Sequence, residues 1–324
     1  LYSSAASDVY KRQVYFSLGN NKAHDTLFTE ALTTLRDAPK ESLAPGAVYD
    51  LCPILHEMRL FKSACEVAMM KAAGEISARA HKRAMQFASP GCFEYQLEAE
   101  IHHEFAMAGA RSPAYSTIVG SGDNACILHY TQNNGQINDG DLILIDAGAE
   151  YQGYAADITR TFPANGKFTH AQREIYSLVL KAQKSVLDML APGVTLSQAM
   201  LHSAEIITQG LVDLGVLEGS VAENLENESW RHFYMHGLGH FLGLDVHDVG
   251  NYKVEGEDRP LKPGMVITIE PGVYISQDSD APDKYKGIGV RIEDDVVITA
   301  TGVEILTSDV PKEIDEIEAL MAKS

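Results

Sequence analysis

The chain has 324 residues, 45% of them apolar, and a formal charge of −19 from 26 Lys+Arg against 45 Asp+Glu. That is enough apolar material for one large core or two modest ones, while the charge argues against a sequence-independent grip on nucleic acid or an anionic membrane. No apolar run approaches the roughly 18 residues of a spanning helix, and the start lacks the charged, apolar, small-residue order of a secretory signal.

In chain order, the first 13 residues, LYSSAASDVYKRQ, have no initiator Met and no periodicity. They read as a sequencing or cloning scar and are set aside from fold reasoning. Residues 14–58 hold a strand-like VYFSL, a helical stretch near 24–36 and a Pro-rich connection, too little for a core of its own. They are expected to be the remnant of a truncated N-terminal domain and its linker, with a catalytic domain over 59–324. The cysteines, at 52, 65, 92 and 126, form no C-x-x-C pair, so free thiols and a cytoplasmic location are expected. Ser63 with Glu66 is a capping box that opens a long helix to Phe87, stopped by SPG at 89–91. Further helices are predicted near 93–108, 170–190 with Thr169 as N-cap, 197–214 and 312–322. Strands are predicted in DLILIDAG, ADITRTF, MVITIEPG and VRIEDDVVIT. Hairpin-length connections between the strand pairs favour an α+β fold with an antiparallel sheet over a doubly wound parallel one.

The strands repeat. DGDLILIDAG (139–148) and PGMVITIEPG (263–272) share a turn glycine, an apolar strand, a terminal carboxylate and a glycine two residues on, and they superimpose Asp146 on Glu270. Each is followed by a second strand with its own acid, Asp157 in ADITRTF and Glu293 in RIEDDVV. A single acid at a strand end usually faces water at a turn. A pair in matching contexts, twice over, points instead to two related halves that each deliver two carboxylates.

Four converging carboxylates repel one another and shift their proton affinities upward unless cations neutralise them. Two divalent ions would cancel the charge, and a neutral imidazole could complete the shell. The source of that imidazole is MHGLGHFLGLDVHDVG (235–250), which holds His236, His240 and His247. Its H-x-x-x-H spacing matches the helical zinc motif, but Gly237 stands where that motif needs a Glu, and each of three glycines would cost a helix about 1 kcal/mol. The stretch is therefore expected to be loop and strand.

At these residues the chain resembles the pita-bread metallopeptidases, which carry a metal set of Asp, Asp, His, Glu and Glu in this order. Asp146, Asp157, His240, Glu270 and Glu293 match it. The stretches ILHYTQN, LIDAGAEYQGYAADITRTFP, HGLGHFLGLDVHDVG, TIEPGVYI and GIGVRIEDD are similar to the branch that holds Xaa-Pro aminopeptidase and prolidase. The likeness covers about 46–324. It implies a pita-bread fold of two pseudo-twofold halves, an antiparallel sheet flanked by helices. It also implies two divalent ions, commonly Mn²⁺, with Co²⁺ or Zn²⁺ as substitutes, bridged by Asp157 and Glu293. Asp146 would chelate one ion, and His240 with Glu270 would complete the other. The implied reaction is attack of a metal-bridging water or hydroxide on the bond between an N-terminal residue and a following proline.

In that reaction Glu270 would accept the proton. His236 and His247 would face the substrate carbonyl and oxyanion, and His129 the leaving-group side. Arg291, which shares a strand face with Glu293 if the strand is regular, reads as a site-lining cation, and Tyr115 as a weaker supporting candidate. A tertiary Xaa-Pro amide has no N–H, so a pocket fitted to the ring and lacking an acceptor there can exclude ordinary peptides. The alternatives are a prolidase acting on Xaa-Pro dipeptides and a non-catalytic binding module of the same fold, which would typically lack some of the ligands. The implied partner is a peptide with proline at position two, with no nucleic acid and no membrane. A homo-oligomer, dimer or tetramer, is implied by the resemblance and left open by the short N-terminal part.

Overall fold

The structure, a computed structural model, describes residues 13–38 and 44–322. It divides into two compact units, Leu1–Arg59 and Leu60–Ser324. The scar expected over residues 1–13 lies outside the described residues apart from Gln13.

In the first unit β1 (Gln13–Tyr15) and β2 (Ala47–Tyr49) pair in parallel. Between them in sequence runs α1 (Lys22–Asp37), capped by Asn21, whose side chain accepts from the amides of Ala23 and His24. No residue of α1 is buried, and Phe28 of this helix stacks on Phe16 at 4.3 Å between centroids. The helix α2 (Cys52–Leu60) follows.

In the second unit α3 (Ala64–Phe87) opens on the capping box expected from the sequence. The Glu66 amide donates to Ser63 Oγ, and the Ser63 amide donates to Glu66 Oε2. Next come α4 (Glu94–Met107), β3 (Ser112–Pro113) and β4 (Ile118–Ser121). The first of the two related halves continues through β5 (Leu142–Asp146), β6 (Ala149–Tyr151), β7 (Tyr154–Ala155) and β8 (Thr159–Pro163). Thr169 and Thr195 build further capping boxes at the starts of α5 (His170–Met189) and α6 (Leu196–Asp213), and the short α7 (Val221–Glu226), not foreseen from the pattern, follows Ser220. A two-residue pair, β9 (Lys253–Val254) and β10 (Glu257–Asp258), precedes the second half. That half comprises β11 (Val266–Ile269), β12 (Gly272–Ile275), β13 (Ile288–Arg291) and β14 (Asp294–Ile298). The chain then runs through β15 (Val303–Ile305) to α8 (Ile314–Met321).

The internal repeat is physical. In the first half β5 pairs antiparallel with β8, and the intervening chain folds into the β6–β7 hairpin. In the second half β11 pairs antiparallel with β14, and the intervening chain folds into the β12–β13 pair. All described strand pairs of this unit are antiparallel. Unlike half-exposed strands, β11 and β14 are buried at every position, so neither alternates: β11 reads as a nearly continuous apolar run, and β14 buries Asp294 and Asp295 ahead of its own apolar run. Ile143 and Ile145 of β5 share a buried cluster with Ile76 and Ala80 of α3, Ile101 and Phe105 of α4, and Ile175 and Val179 of α5. Ile267 and Ile269 of β11 share another with Val186 and Leu187 of α5. Each such side chain contributes about 1.5–3 kcal/mol relative to exposure, so the strands that carry the acids are held rigidly.

The structure departs from the sequence reading at three places. The run VRIEDDVVIT is not one strand: it breaks at Ile292–Glu293 between β13 and β14. The strand in ADITRTF begins only at Thr159, because the backbone at Asp157 is turned away to donate its amide to Asp295 Oδ2. Residues 235–250 form no helix, as argued, but the expected strand shrinks to a single bridge of Phe241 with Ile267.

Candidate active site

The four strand-end acids emerge from equivalent corners of the two halves. Asp146 is the last residue of β5, and Glu270 directly follows β11. Asp157 lies just ahead of β8, and Glu293 just ahead of β14. The halves are stitched at this point, since the Glu293 amide donates to the Thr159 carbonyl at 3.1 Å and Thr159 Oγ1 donates to Glu293 Oε2 at 2.6 Å. The repeated glycines have steric reasons. A Cβ on Gly148 would stand 1.7 Å from the Ala156 carbonyl oxygen, and one on Gly272 would stand 2.6 Å from the Tyr274 hydroxyl.

Asp157, His240 and Glu293 each offer a ligand atom within 4.8 Å of the others. His240 is fixed at both ends: its amide donates to Thr268 Oγ1 at 3.0 Å, and Nδ1 lies 3.0 Å from the Phe241 carbonyl. With Nδ1–H committed to that carbonyl, Nε2 faces Asp157 Oδ2 at 3.4 Å and Glu270 Oε1 at 3.7 Å. Burial alone would lower its proton affinity, but the hydrogen bond and charge of Asp157, with Glu270, raise it to about 9. Nε2 therefore holds either a proton or a cation.

Asp146 sits beside this triad, with one oxygen accepting from Arg291 Nη2 at 2.6 Å. The Tyr115 hydroxyl lies 2.6 Å from Asp146 Oδ1 and 2.6 Å from Asp157 Oδ1. One phenolic proton cannot serve two carboxylates at once, so a further proton or a cation must complete this corner. The same shortage of positive charge shows in the acids themselves. Burial, and then mutual repulsion, raises Asp146 and Glu293, and lifts Glu270 to about 7 despite His240 and Arg291. An oxygen-rich donor set with one imidazole and an excess of buried negative charge fits a pair of hard or borderline divalent ions.

Arg291 is buried, donating from Nε to Thr159 Oγ1 at 3.0 Å and from Nη1 to the Tyr274 hydroxyl at 2.9 Å. The strand ends at Arg291, so the regular-strand condition for a face shared with Glu293 is not met; the two residues meet instead through Thr159 Oγ1, which bonds to both. His236 Nε2 lies 2.8 Å from the Tyr274 hydroxyl, and its Nδ1 lies 2.8 Å from the Gly237 carbonyl and 3.7 Å from Glu270 Oε2. Burial first, then the Arg291 charge, lowers His236 to about 3, which keeps it neutral. His247 is exposed, packs edge-on against His240 at 4.4 Å between centroids, and is lowered by partial burial and then by His240. His129 is exposed on an irregular segment and stands close enough to act electrostatically on both His236 and His247. Tyr274, Thr159 and Thr268 were missed in the sequence. Tyr274 sits in the stretch TIEPGVYI, but neither its type nor its spacing marks it as a bridge between Arg291 and His236.

The model of metallopeptidase family M24 matches residues 68–300. The chain belongs to metallopeptidase family M24. Within the family, it is 55% identical over 311 residues to an Xaa-Pro aminopeptidase of Escherichia coli, covering 95% of this chain and 70% of that protein. It is 57% identical over 274 residues to an Xaa-Pro aminopeptidase of Haemophilus influenzae, covering 85% of this chain and 64% of that protein. Proline aminopeptidase P II from Yersinia pestis superimposes with a TM-score of 0.93 at 54% identity, over 97% of this chain and 72% of that one. An Xaa-Pro dipeptidase of Homo sapiens is more distant, 37% identical over 330 aligned positions, with 91% of this chain and 67% of that protein covered. The M24 likeness agrees with the pita-bread architecture of strand, hairpin and strand seen twice here.

Proposed function

We propose that this chain is a metal-dependent aminopeptidase that hydrolyses the bond between an N-terminal residue and a following proline. The observation that carries the reading is the Asp157–His240–Glu293 cluster, with Asp146 and Glu270 beside it, in an M24 chain that is nearer to Xaa-Pro aminopeptidases than to an Xaa-Pro dipeptidase. Asp157 and Glu293 would be shared between two divalent ions, Asp146 would serve one of them, and His240 with Glu270 the other. Such a pair, when bound, supplies Lewis acidity and a water activated near neutral pH.

The chain's own groups do the rest. Glu270, beside the reacting cluster, would accept a proton from the attacking water and pass it on to the leaving nitrogen. Neutral His236, held by Tyr274 and Gly237, would face the substrate without adding charge. Arg291 lends a fixed positive charge to the Asp146 corner and orients Tyr274. His247 and His129, both exposed, are available to the substrate carbonyl and to the leaving-group side.

Manganese as the native metal, a cytoplasmic location and a homo-oligomeric state are parts of the same proposal. Four unpaired cysteines support the second of these. No helix among the described residues is long and apolar enough to cross a membrane. Incubation with Mn²⁺ and either Gly-Pro-Gly or Gly-Pro, followed by product identification, tests the activity. Free glycine and Pro-Gly from the tripeptide are expected, with the dipeptide left intact. Turnover of the dipeptide alone would make the chain a prolidase, and inertness toward both would favour a binding module.

A further inference from the structure

We propose that Glu94, which lies outside the reacting cluster, is the positioning residue that presents His129 to the site. This rests on the reading of His129 given above.

His129 sits in residues 122–135, a segment that follows β4 with one short turn of 3₁₀ helix and then no regular element. A chain without ladder or helical bonds needs another source of order. Glu94, the first residue of α4, supplies it. Its side chain is completely buried, yet both oxygens are saturated by donors from that segment and its edges. Oε1 accepts from the Ser121 amide and hydroxyl, each at 2.8 Å, and from Asn124 Nδ2 at 3.0 Å. Oε2 accepts from the Tyr130 hydroxyl at 2.8 Å and the Gly135 amide at 2.7 Å. The fit is close, since a Cβ on Gly135 would stand 2.9 Å from either oxygen.

One turn further along the same helix face, Glu98 Oε2 accepts from Asn133 Nδ2 at 2.9 Å. Asn133 in turn receives the Val119 amide on Oδ1, and Val119 is paired with Ile145, the neighbour of Asp146. The segment is thereby referenced to the strand that delivers a candidate ligand. Tyr130 is buried and locked to Glu94, whereas His129, next to it, is exposed. Fixing Tyr130 fixes the adjacent backbone that carries the exposed His129 imidazole. Charge-assisted hydrogen bonds to a buried carboxylate are stronger than neutral ones, which suits a single residue holding a whole segment.

The test uses Glu94→Gln, which keeps the volume and loses acceptors, and Tyr130→Phe, which keeps the ring and loses one donor. Each is made alone and with His129→Ala. In Glu94→Gln, amide hydrogen exchange at Ser121 and Gly135 is expected to accelerate about tenfold or more. Turnover of a proline tripeptide is expected to fall about tenfold in kcat with little change in KM, and Tyr130→Phe should show the same split more weakly. In the His129→Ala background, neither substitution should lower kcat further. Independent, multiplicative losses would overturn the proposal, as would unchanged kcat alongside accelerated exchange, which would make Glu94 purely structural. Full activity of His129→Ala alone would sink the reading of His129 itself. Accelerated exchange in Glu94→Gln would then still show the grip of Glu94 on the segment.

Discussion

Glu270 leaves β11 one residue past the Ile269–Asp294 pair, and its amide is tied to the Leu238 carbonyl at 2.8 Å, so the backbone there does not depend on the carboxylate. Glu270→Ala is therefore expected to lower kcat by about 10²–10⁴ while the thermal melt stays cooperative. Near-normal turnover would sink the assignment. A second residue reports on stability alone. His81 on α3 is completely buried and donates from Nε2 to the Ala147 carbonyl at 2.9 Å. Desolvation outweighs that bond and lowers it to about 4 from 6.5. The unfolded chain takes up the proton first, so this contribution is fully present above pH 6.5 and is lost as pH falls toward 4. The loss amounts to about 3 kcal/mol. Urea melts between pH 7 and 4 should show that slope, and His81→Gln should flatten it. An unchanged slope in the variant would assign it to other groups.

At the scale of elements, the helices were legible because their starts are written locally. Ser63 with Glu66, and Thr169 with Gln172, close capping boxes within four residues of chain. The strand break at Ile292–Glu293 was not legible, because its cause is the partner half: the Glu293 amide turns to the Thr159 carbonyl. The 235–250 loop is likewise held by distant groups. Lys62, just ahead of α3, forms an ion pair at 3.0 Å with Asp248, and both side chains are 1% exposed. Asp248 adjoins His247, so this pair anchors one end of the histidine loop. Lys62→Met leaves a buried carboxylate without this cation and is expected to cost about 3–5 kcal/mol in a denaturant melt. A loss under 1 kcal/mol would show that other neighbours of Asp248 suffice.

For the molecule as a whole, the site forms where two halves meet and concentrates negative charge that must be offset by bound protons or by a counter-cation. Divalent metal should therefore bind the folded protein and not the unfolded one. At a free concentration one hundred times the dissociation constant, this adds about 2.7 kcal/mol. Dialysis against a chelator is expected to lower the melting temperature by several degrees, and Mn²⁺ to restore it. Asp157→Ala should show no such metal-dependent shift, because Asp157 belongs to the only compact ligand cluster among the described residues. A melt indifferent to metal in the unsubstituted protein would count against the dinuclear reading.

The sequence by itself determined the helix starts, the apolar strands, their repetition and the candidate ligands, since each is written in residue type and short spacing. Asp146 and Glu270 could be matched because both follow the same apolar run and precede the same glycine two residues on. Only the tertiary structure decided which groups meet: Tyr115 between Asp146 and Asp157, Tyr274 between His236 and Arg291, Thr159 between Arg291 and Glu293. Those partners lie 17 to 134 residues apart, and a lone tyrosine or threonine carries no local pattern. Their roles come from the antiparallel registers that bring the two halves together, and no periodicity along a single segment can reveal them.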